Sequence, residues 1–320
     1  MMQYTDRHFR YLARRLSRHS HLYTEMVVAT ALLRGDHKRL LAHSPQEYPV
    51  ALQLGGSVPK ELAAAARMGE DAGYCEINLN VGCPSDRVQS GRFGACLIAE
   101  PELVATCVAE MQRAVQVPVT VKTRLGVDDC DSYEHLVHLV GLLASTGCKV
   151  LVLHARKALL NFSPRENRDI PPLDYARVYA IKKAFPSLTV VINGGINSLQ
   201  EARSHLEHVD GVMLGRAAYA QLSLLREADR ALFGATELPV DNLTLLQTIT
   251  PYLIEEAAKG TDLRHMTRHW NGLRQGEPGA REWRRLIATH ASRSTLSPAD
   301  AIAEAIALLV AGPHYPEQTA

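Results

Sequence analysis

Cys83 is the residue whose type and setting most directly suggest chemistry. It lies in Asn80-Val81-Gly82-Cys83-Pro84-Ser85, between a glycine and a proline. Those neighbours favour a turn over a helix, so the thiol could act there as a nucleophile or a proton donor. Four other cysteines lie in apolar patterns typical of buried small residues, namely Cys75, Cys96, Cys107 and Cys148. No Cys-x-x-Cys pair occurs, so neither a zinc site nor a dithiol redox motif is supported.

Polar side chains also fall on single faces of short β-branched segments. Side chains in a strand alternate between faces. The polar residues that share a face are Glu76, Asn78 and Asn80 in one segment and Thr120, Lys122 and Arg124 in another, and Gln53 and His154 lie near the ends of theirs. Each alone could make a structural hydrogen bond or ion pair. Because an unpaired buried polar group costs roughly 1–3 kcal/mol, their convergence predicts a bound polar ligand.

Two glycine-containing segments suggest a phosphate site. Asn193-Gly194-Gly195 and Gly215-Arg216 each close a predicted strand. Glycines let backbone N–H groups approach a phosphate closely, and Arg216 would add charge. Two ordinary tight turns are the alternative. No Gly-x-Gly-x-x-Gly follows a strand, so a Rossmann nicotinamide site is not supported.

The elements that must position these residues alternate between strand and helix. Short apolar segments predict strands at Tyr23–Val27, Val50–Leu54, Cys75–Val81, Pro118–Thr123, Lys149–Ala155, Thr189–Asn193 and Gly211–Gly215. Helical periodicity separates them, which predicts a parallel α/β sheet of the (β/α)8 TIM-barrel type with its first strand missing. We expect that strand to precede Met1 and the start to have been assigned too far downstream, because an unpaired edge inside a barrel is costly.

The pattern changes near Gly234. Segments 243–259, 261–274, 279–292 and 298–311 predict helices without intervening strands. We therefore expect two domains, a catalytic barrel over residues 1–233 and a small helical domain over residues 234–320.

Composition limits the class of protein. The 320 residues contain 35 Lys and Arg against 34 Asp and Glu, so nucleic-acid binding would depend on local patches. The N-terminus lacks an apolar signal core, and no apolar run approaches a membrane span of about 20 residues. We expect a cytoplasmic monomer with reduced thiols, no membrane association and no metal.

The sequence resembles the tRNA-dihydrouridine synthases over essentially its whole length, and within them the A subfamily. The residues that carry this resemblance are Leu22–Val27, Val50–Gly56, Glu76–Val88, Gly91–Ala95, Val119–Arg124, His154–Ala158, Asn193–Gly195 and Asp210–Arg216. The segment around Cys83 is highly specific to that family. In the family a proline that contacts the flavin precedes the Met-Met pair, and here the pair, Met1 and Met2, opens the chain.

The resemblance implies a bound FMN and NADPH as transient reductant. It assigns the flavin to Met1, Met2, Gln53, Lys122, His154, Asn193, Gly194, Gly195, Gly215 and Arg216. It makes Cys83 the general acid and places Asn80 at the substrate base. The implied reaction reduces D-loop uridines 20 and 20a of tRNA, with hydride passing from flavin N5 to C6 and a proton from Cys83 to C5.

Arginines and lysines cluster in two places that could hold RNA. Arg156, Lys157, Arg165 and Arg168 follow one strand, whereas Arg281 and Arg284 share a helix face at i and i+3. Such clusters are often only solvated faces, but the resemblance implies that the C-terminal helices grip tRNA. Three other functions remain open: an FMN barrel acting on a free pyrimidine, a non-catalytic RNA-binding protein without flavin, and an interaction scaffold.

Overall fold

A parallel β-sheet dominates the first of two compact units. The structure, a computed structural model, describes residues 1–293 and 295–311. Its strands neighbour one another in chain order: β1 Leu22–Val28, β2 Val50–Gly55, β3 Glu76–Val81, β4 Val119–Arg124, β5 Val150–His154, β6 Thr189–Asn193 and β7 Gly211–Met213. All seven predicted strands are confirmed. Because every crossover joins neighbouring strands, the sheet curls as in a TIM barrel rather than forming an open doubly wound sheet.

Within the described residues, β1 pairs only with β2 and β7 only with β6. The sheet is therefore a curled barrel-like sheet of seven strands.

Helices follow the strands and continue to the end of the described chain. They are α1 Arg7–Leu16, α2 Ala29–Arg34, α3 His37–Leu40, α4 Pro59–Asp71, α5 Asp86–Ser90, α6 Pro101–Ala114, α7 Tyr133–Ser145, α8 Glu166–Asp169, α9 Tyr175–Ala184, α10 Leu199–Leu206, α11 Arg216–Ala220, α12 Ser223–Phe233, α13 Asn242–Ala258, α14 Leu263–Thr267, α15 Ala280–Ser292 and α16 Pro298–Ala311. Short 3-10 helices cover Pro45–Glu47, Gly94–Ala99 and Arg268–Arg274. The four predicted C-terminal helices are confirmed.

The packing of α4 fixes which face of the sheet is which. A Cβ added to Gly69 of α4 would lie 2.6 Å from Leu52 Cδ2 and 2.7 Å from Ile77 Cδ1. Leu52 and Ile77 therefore face the helix layer, where both are fully buried. Since strand side chains alternate, Gln53 and Asn78 face the inside of the curled sheet. Sequence alternation thus separates an apolar helix-facing side from a polar inner side.

A second compact unit is helical and uses both ends of the described chain. It comprises Tyr4–Ser20 and the described residues from Arg216 onward, whereas Met1–Gln3 and His21–Gly215 form the sheet unit. This division differs from the predicted boundary at residue 233. Helix α1 joins the helical unit because Tyr11 stacks on Tyr252 of α13, with ring centroids 3.8 Å apart. Its core includes Trp283, whose Nε1 donates to the Trp270 carbonyl at 2.7 Å.

No helix in residues 1–293 or 295–311 combines the length and apolar character required to cross a bilayer.

Candidate active site

Amide side chains from two strands meet on the inner face of the sheet. Gln53 of β2 lies beside Asn78 of β3 in the strand register, and its Nε2 donates to Asn78 Oδ1 at 2.9 Å. Asn80 Nδ2 donates to Gln53 Oε1 at 2.8 Å. Asn80 is half-buried two residues nearer the C-terminal end of β3. The predicted site residues Gln53 and Asn80 are therefore in direct contact.

The Cys83 turn begins where β3 ends. Asn80 Oδ1 accepts hydrogen bonds from the backbone N–H groups of Gly82 at 3.1 Å and Cys83 at 3.0 Å. The thiol is half-buried, and its Sγ lies 3.5 Å from Ser85 Oγ. The predicted placement of Cys83 on a turn after a strand is confirmed, and the thiol is a free one.

Two further contacts hold this turn from the other side. The Cys83 carbonyl accepts from the Ala95 N–H at 2.9 Å. Gln89 of α5 donates from Nε2 to the Pro84 carbonyl and to the Leu160 carbonyl, each at 2.9 Å. Gln89 thus joins the turn after β3 to the loop after β5.

Two cations of β4 lie near Cys83. Lys122 pairs with Asn80 in the strand register and is half-buried. Burial first, and then the charge of Arg124, lower the pKa of Lys122 to about 8, against an opposing effect of Cys83. Among the described residues, the Lys122 ammonium has no hydrogen-bond or ion-pair partner. A half-buried lysine without a partner suits an anionic ligand.

Arg124 supports the loops around the site. Its guanidinium donates to the carbonyls of Gly82 at 3.0 Å, Lys157 at 3.0 Å and Asn167 at 3.2 Å. Burial is the main cause that lowers the pKa of Arg124, to about 10, so the group remains a cation at neutral pH. Arg124 thus holds together the C-terminal ends of β3 and β5, which form part of the rim of the curled sheet.

His154 closes β5 at the same rim. Its Nδ1 lies 3.0 Å from Asn193 Oδ1, and Asn193 Nδ2 donates to the Met213 carbonyl at 2.7 Å. Burial, followed by the charges of Lys122 and Arg124, holds the pKa of His154 well below its ordinary value. The imidazole is therefore neutral at pH 7, and with Asn193 it links β5, β6 and β7.

The glycines after β6 adopt the conformation that a close-approach loop requires. Gly194 and Gly195 have φ angles of +114° and +73°. A Cβ on Gly194 would lie 3.1 Å from His154 Nε2, and one on Gly195 would lie 2.5 Å from Leu173 Cδ1. Only glycine fits both the backbone angles and the space.

Met1 lies beside the end of β7, since a Cβ added to Gly215 would lie 3.4 Å from the Met1 Sδ. Met2 is 60% exposed. Arg216, also exposed, begins α11 in the helical unit. The structure thus brings Met1 and Gly215 together, whereas Met2 and Arg216 have exposed side chains.

The basic residues after β5 have different environments. Lys157 is paired, with its Nζ 2.7 Å from Asp131 Oδ2. The Arg156 guanidinium donates to the Pro171 carbonyl. Arg165 is exposed, whereas Arg168 is half-buried and its Nε has no hydrogen-bond partner. Arg165 is thus the member of this cluster whose side chain is open to an anion, whereas the Arg168 Nε is enclosed by the protein.

Arg281 and Arg284 lie in the helical unit. Both are exposed on α15, and Arg284 Nη1 donates to Gln275 Oε1 at 3.3 Å. Their predicted helix and shared face are confirmed.

Among residues 1–293 and 295–311, no three His, Cys, Asp or Glu side chains approach closely enough to hold a metal ion.

Arg124, Gln89 and Gly94 were not among the predicted site residues. Arg124 had a sequence indication, because it alternates with Lys122 on one face of β4. Gln89 bonds a backbone carbonyl of the Cys83 turn, and a Cβ on Gly94 would lie 2.6 Å from the Cys83 carbonyl oxygen. Local residue types do not reveal such contacts. The assembled rim presents a thiol, two cations, a neutral imidazole and several amides.

Comparisons with known proteins relate this chain to one family. A family model described as dihydrouridine synthase matches residues 1–308. Proteins named tRNA-dihydrouridine(20/20a) synthase are similar to this chain. The one from Synechocystis is 54% identical over 289 residues, covering 90% of this chain and 86% of its own. The one from Escherichia coli K12 is 53% identical over 298 residues, covering 92% and 86%.

The fold also has a solved neighbour, an old yellow enzyme homologue from Zymomonas mobilis. The TM-score is 0.52 at 11% sequence identity, and the match covers 76% of this chain and 87% of that one. This likeness concerns the fold alone. The family match and the relatives extend over nearly the entire chain, and the chain belongs to the dihydrouridine synthase family.

Proposed function

We propose that this protein is a tRNA-dihydrouridine(20/20a) synthase that reduces D-loop uridines with FMN as cofactor and NADPH as reductant. The observation that carries the proposal is the Cys83 thiol, held on a turn by Asn80 at the rim that also contains Lys122, a cation without a partner in the described part of the chain. The named activity of relatives at about 53% identity supports it. We place the enzyme in the cytoplasm as a monomer.

The residues present fit a flavin mononucleotide. Lys122 is a half-buried cation without a partner among residues 1–293 and 295–311, which suits an anionic ring or ligand. The positive φ angles of Gly194 and Gly195 open the backbone after β6. This strand would be the counterpart of the seventh strand of a barrel, whose loop commonly binds phosphate. Gln53, His154 and Asn193 would complete the ring environment, Gly215 and Arg216 would add to the phosphate site, and Met1 and Met2 would flank it.

Bound FMN would supply the hydride for C6 of the uracil ring. Asn80 would orient the base, which must leave the RNA stack to enter the rim. Cys83 would then donate its proton to C5 of the resulting enolate and recover a proton from solvent. Lys122 would hold negative charge at the ring edge. The neutral His154 would contribute hydrogen bonding without a second positive charge.

Basic side chains of both units would bind the RNA backbone. We assign this to Arg156, Lys157, Arg165 and Arg168 in the sheet unit and to Arg281 and Arg284 in the helical unit. The exposed Arg165 and the exposed pair on α15 support the assignment. Lys157 and Arg156 would exchange their contacts with Asp131 and the Pro171 carbonyl for phosphates. Phosphate contacts of this kind position a nucleic acid without reading its sequence.

The test is mass spectrometry of D-loop uridines in a host that lacks the activity, complemented with wild type, Cys83→Ala or Cys130→Ala. We expect dihydrouridine with wild type and Cys130→Ala, which removes another half-buried free thiol. Cys83→Ala should lower the rate about 10²–10⁴-fold.

Full modification by Cys83→Ala would overturn the acid assignment. No modification by wild type would overturn the function, and equal activity of purified enzyme on free uridine would favour a small-molecule reductase instead.

A further inference from the structure

Glu76, the first residue of β3, is an acceptor at the end of β3 opposite the Cys83 turn. Its Oε1 accepts from Thr120 Oγ1 at 2.6 Å and from Tyr23 OH at 3.1 Å, and its Oε2 lies 3.1 Å from His21 Nε2. Three donors therefore converge on one buried carboxyl group. An ionised carboxylate only accepts hydrogen bonds, so it fixes the direction of every bond that follows.

The bonds continue through three amides. Thr120 uses its only hydroxyl proton toward Glu76, so its oxygen accepts from Asn78 Nδ2 at 2.8 Å. This orients the Asn78 amide with Oδ1 toward Gln53 Nε2, at 2.9 Å. Gln53 then presents Oε1 to Asn80 Nδ2 at 2.8 Å. Each amide orientation is determined by the one before it, and Asn78 is fully buried.

Asn80, the last amide in this series, holds the Cys83 turn. With its Nδ2 committed to Gln53, Asn80 presents Oδ1 to the N–H groups of Gly82 and Cys83. If every amide in this series were turned the other way, the Asn80 NH2 group would face the N–H donors of Gly82 and Cys83. The Glu76 carboxylate therefore determines, from roughly 13 Å away along β3, whether the Cys83 turn finds an acceptor.

We propose that Glu76 and Thr120 are positioning residues, which fix the Cys83 turn through the ordered amides of Asn78, Gln53 and Asn80. The proposal rests on the proposed function for its catalytic consequence. A purely structural cluster would affect stability alone. An ordered series of amides predicts a loss in kcat with little change in KM for tRNA. The proton donor and the Asn80 amide at the base would be displaced, whereas the phosphate contacts that dominate RNA affinity would not.

The decisive variant is Thr120→Val, which keeps the shape and removes the hydroxyl. Asn78 Nδ2 then loses its acceptor, and the amides are no longer oriented. We expect kcat to fall at least tenfold, KM for tRNA to stay within twofold, and Thr120→Ser to restore most of the rate. The matched control is Thr123→Val, which removes an equally buried hydroxyl from the same strand. The Thr123 hydroxyl donates to the Val81 carbonyl at 3.1 Å and not to the series of amides.

A second variant keeps the test valid if Thr120→Val does not fold. Glu76→Gln preserves the shape of the side chain but introduces a hydrogen-bond donor. The amides can then turn the other way, which leaves the N–H groups of Gly82 and Cys83 without an acceptor. We expect a similar loss of kcat.

An independent readout is the alkylation rate of Cys83 by iodoacetamide, followed by peptide mass spectrometry, in protein without substrate. We expect at least a threefold rise in Thr120→Val and Glu76→Gln and none in Thr123→Val.

The two proposals fail differently. If Thr120→Val and Glu76→Gln match Thr123→Val in both kcat and alkylation, the positioning role is wrong even when wild type makes dihydrouridine. If wild type makes none while the alkylation differences appear, the proposed function fails and the ordered chain stands.

Discussion

At the scale of single residues, Lys122 shows that the site is built at a cost in stability. Its ammonium is half-buried beside Arg124 and has no partner in the described part of the chain. Burial and Arg124 lower its pKa from 10.5 to about 8. Between those pH values the unfolded chain binds a proton that the folded chain does not, so stability rises with pH there. At pH 7 the cost of the buried charge is fully present.

We therefore expect Lys122→Met to stabilise the flavin-free protein at pH 7 while abolishing activity. The gain should be about 1–2 kcal/mol, less than the full pKa shift implies because the group is partly hydrated. Thermal unfolding of flavin-free protein at pH 7 and pH 10 measures it, and the gain should shrink at the higher pH. Lys60→Met, on the exposed face of α4, is the control and should change stability by less than about 0.5 kcal/mol. A destabilised Lys122→Met at pH 7 would contradict this account.

At the scale of elements, the Cys83 turn depends on the 3-10 helix that begins at Gly94. Gly94 has a φ of +76°, and a Cβ there would lie 2.4 Å from Val88 Cγ1 and 2.6 Å from the Cys83 carbonyl oxygen. The close approach allows Ala95 N–H to reach that carbonyl. The turn is thus fixed from both sides, by Asn80 and by this helix.

Gly94→Ala should displace the turn and lower dihydrouridine formation at least tenfold. The matched control is Gly147→Ala, where φ is +92° but nothing lies within 4 Å of the added Cβ. Both variants incur the cost of a positive φ, roughly 1–2 kcal/mol, so the difference between them isolates the collision. Activity per folded molecule measures the effect, and equal activity of the two variants would show that the close contact is unimportant.

The longer elements were predictable because periodicity alone identifies them. Alternation in β3 and β4 separated the polar inner face, including Asn80 and Lys122, from the helix-facing side. Short elements such as α5 and α8 were not predicted, since tertiary contacts hold them. Asn167, for example, fixes the loop before α8 with bonds to Leu159 and Phe162. Helix α1 was missed although Phe9, Leu12, Ala13 and Leu16 recur at helical spacing.

At the scale of the whole molecule, the helical unit is assembled from two distant parts of the chain. Asp6 caps α1 by accepting from the His8 and Phe9 N–H groups at 3.0 Å. It also pairs with His269, at 2.9 Å from Nε2, and with Arg268. Burial alone would raise the pKa of the Asp6 carboxyl, but His269, the Phe9 N–H and Arg268 together hold it well below its usual range.

Asp6→Asn should destabilise the protein by about 2–4 kcal/mol at pH 7, because it removes the charge from a paired, largely buried group. Since the folded pKa is depressed, this stability is present above the unfolded pKa near 3.8 and is lost as pH falls further. The difference between wild type and variant should therefore shrink below about pH 4 in denaturant titrations. Asp241→Asn alters the exposed cap of α13 and should cost less than about 0.5 kcal/mol, because asparagine caps a helix about as well as aspartate. Equal costs for the two variants would argue against the ion pairs.

The composition of the helical unit has a consequence for synthesis on the ribosome. Helix α1 leaves the exit tunnel well before its partners, because Tyr252 and His269, against which it packs, are translated more than 200 residues later. At about 5–20 residues per second, this delay is roughly 10–40 s. During that interval the apolar face of α1 lacks these native contacts, so the nascent chain offers an apolar helix to chaperones while the sheet unit is being completed.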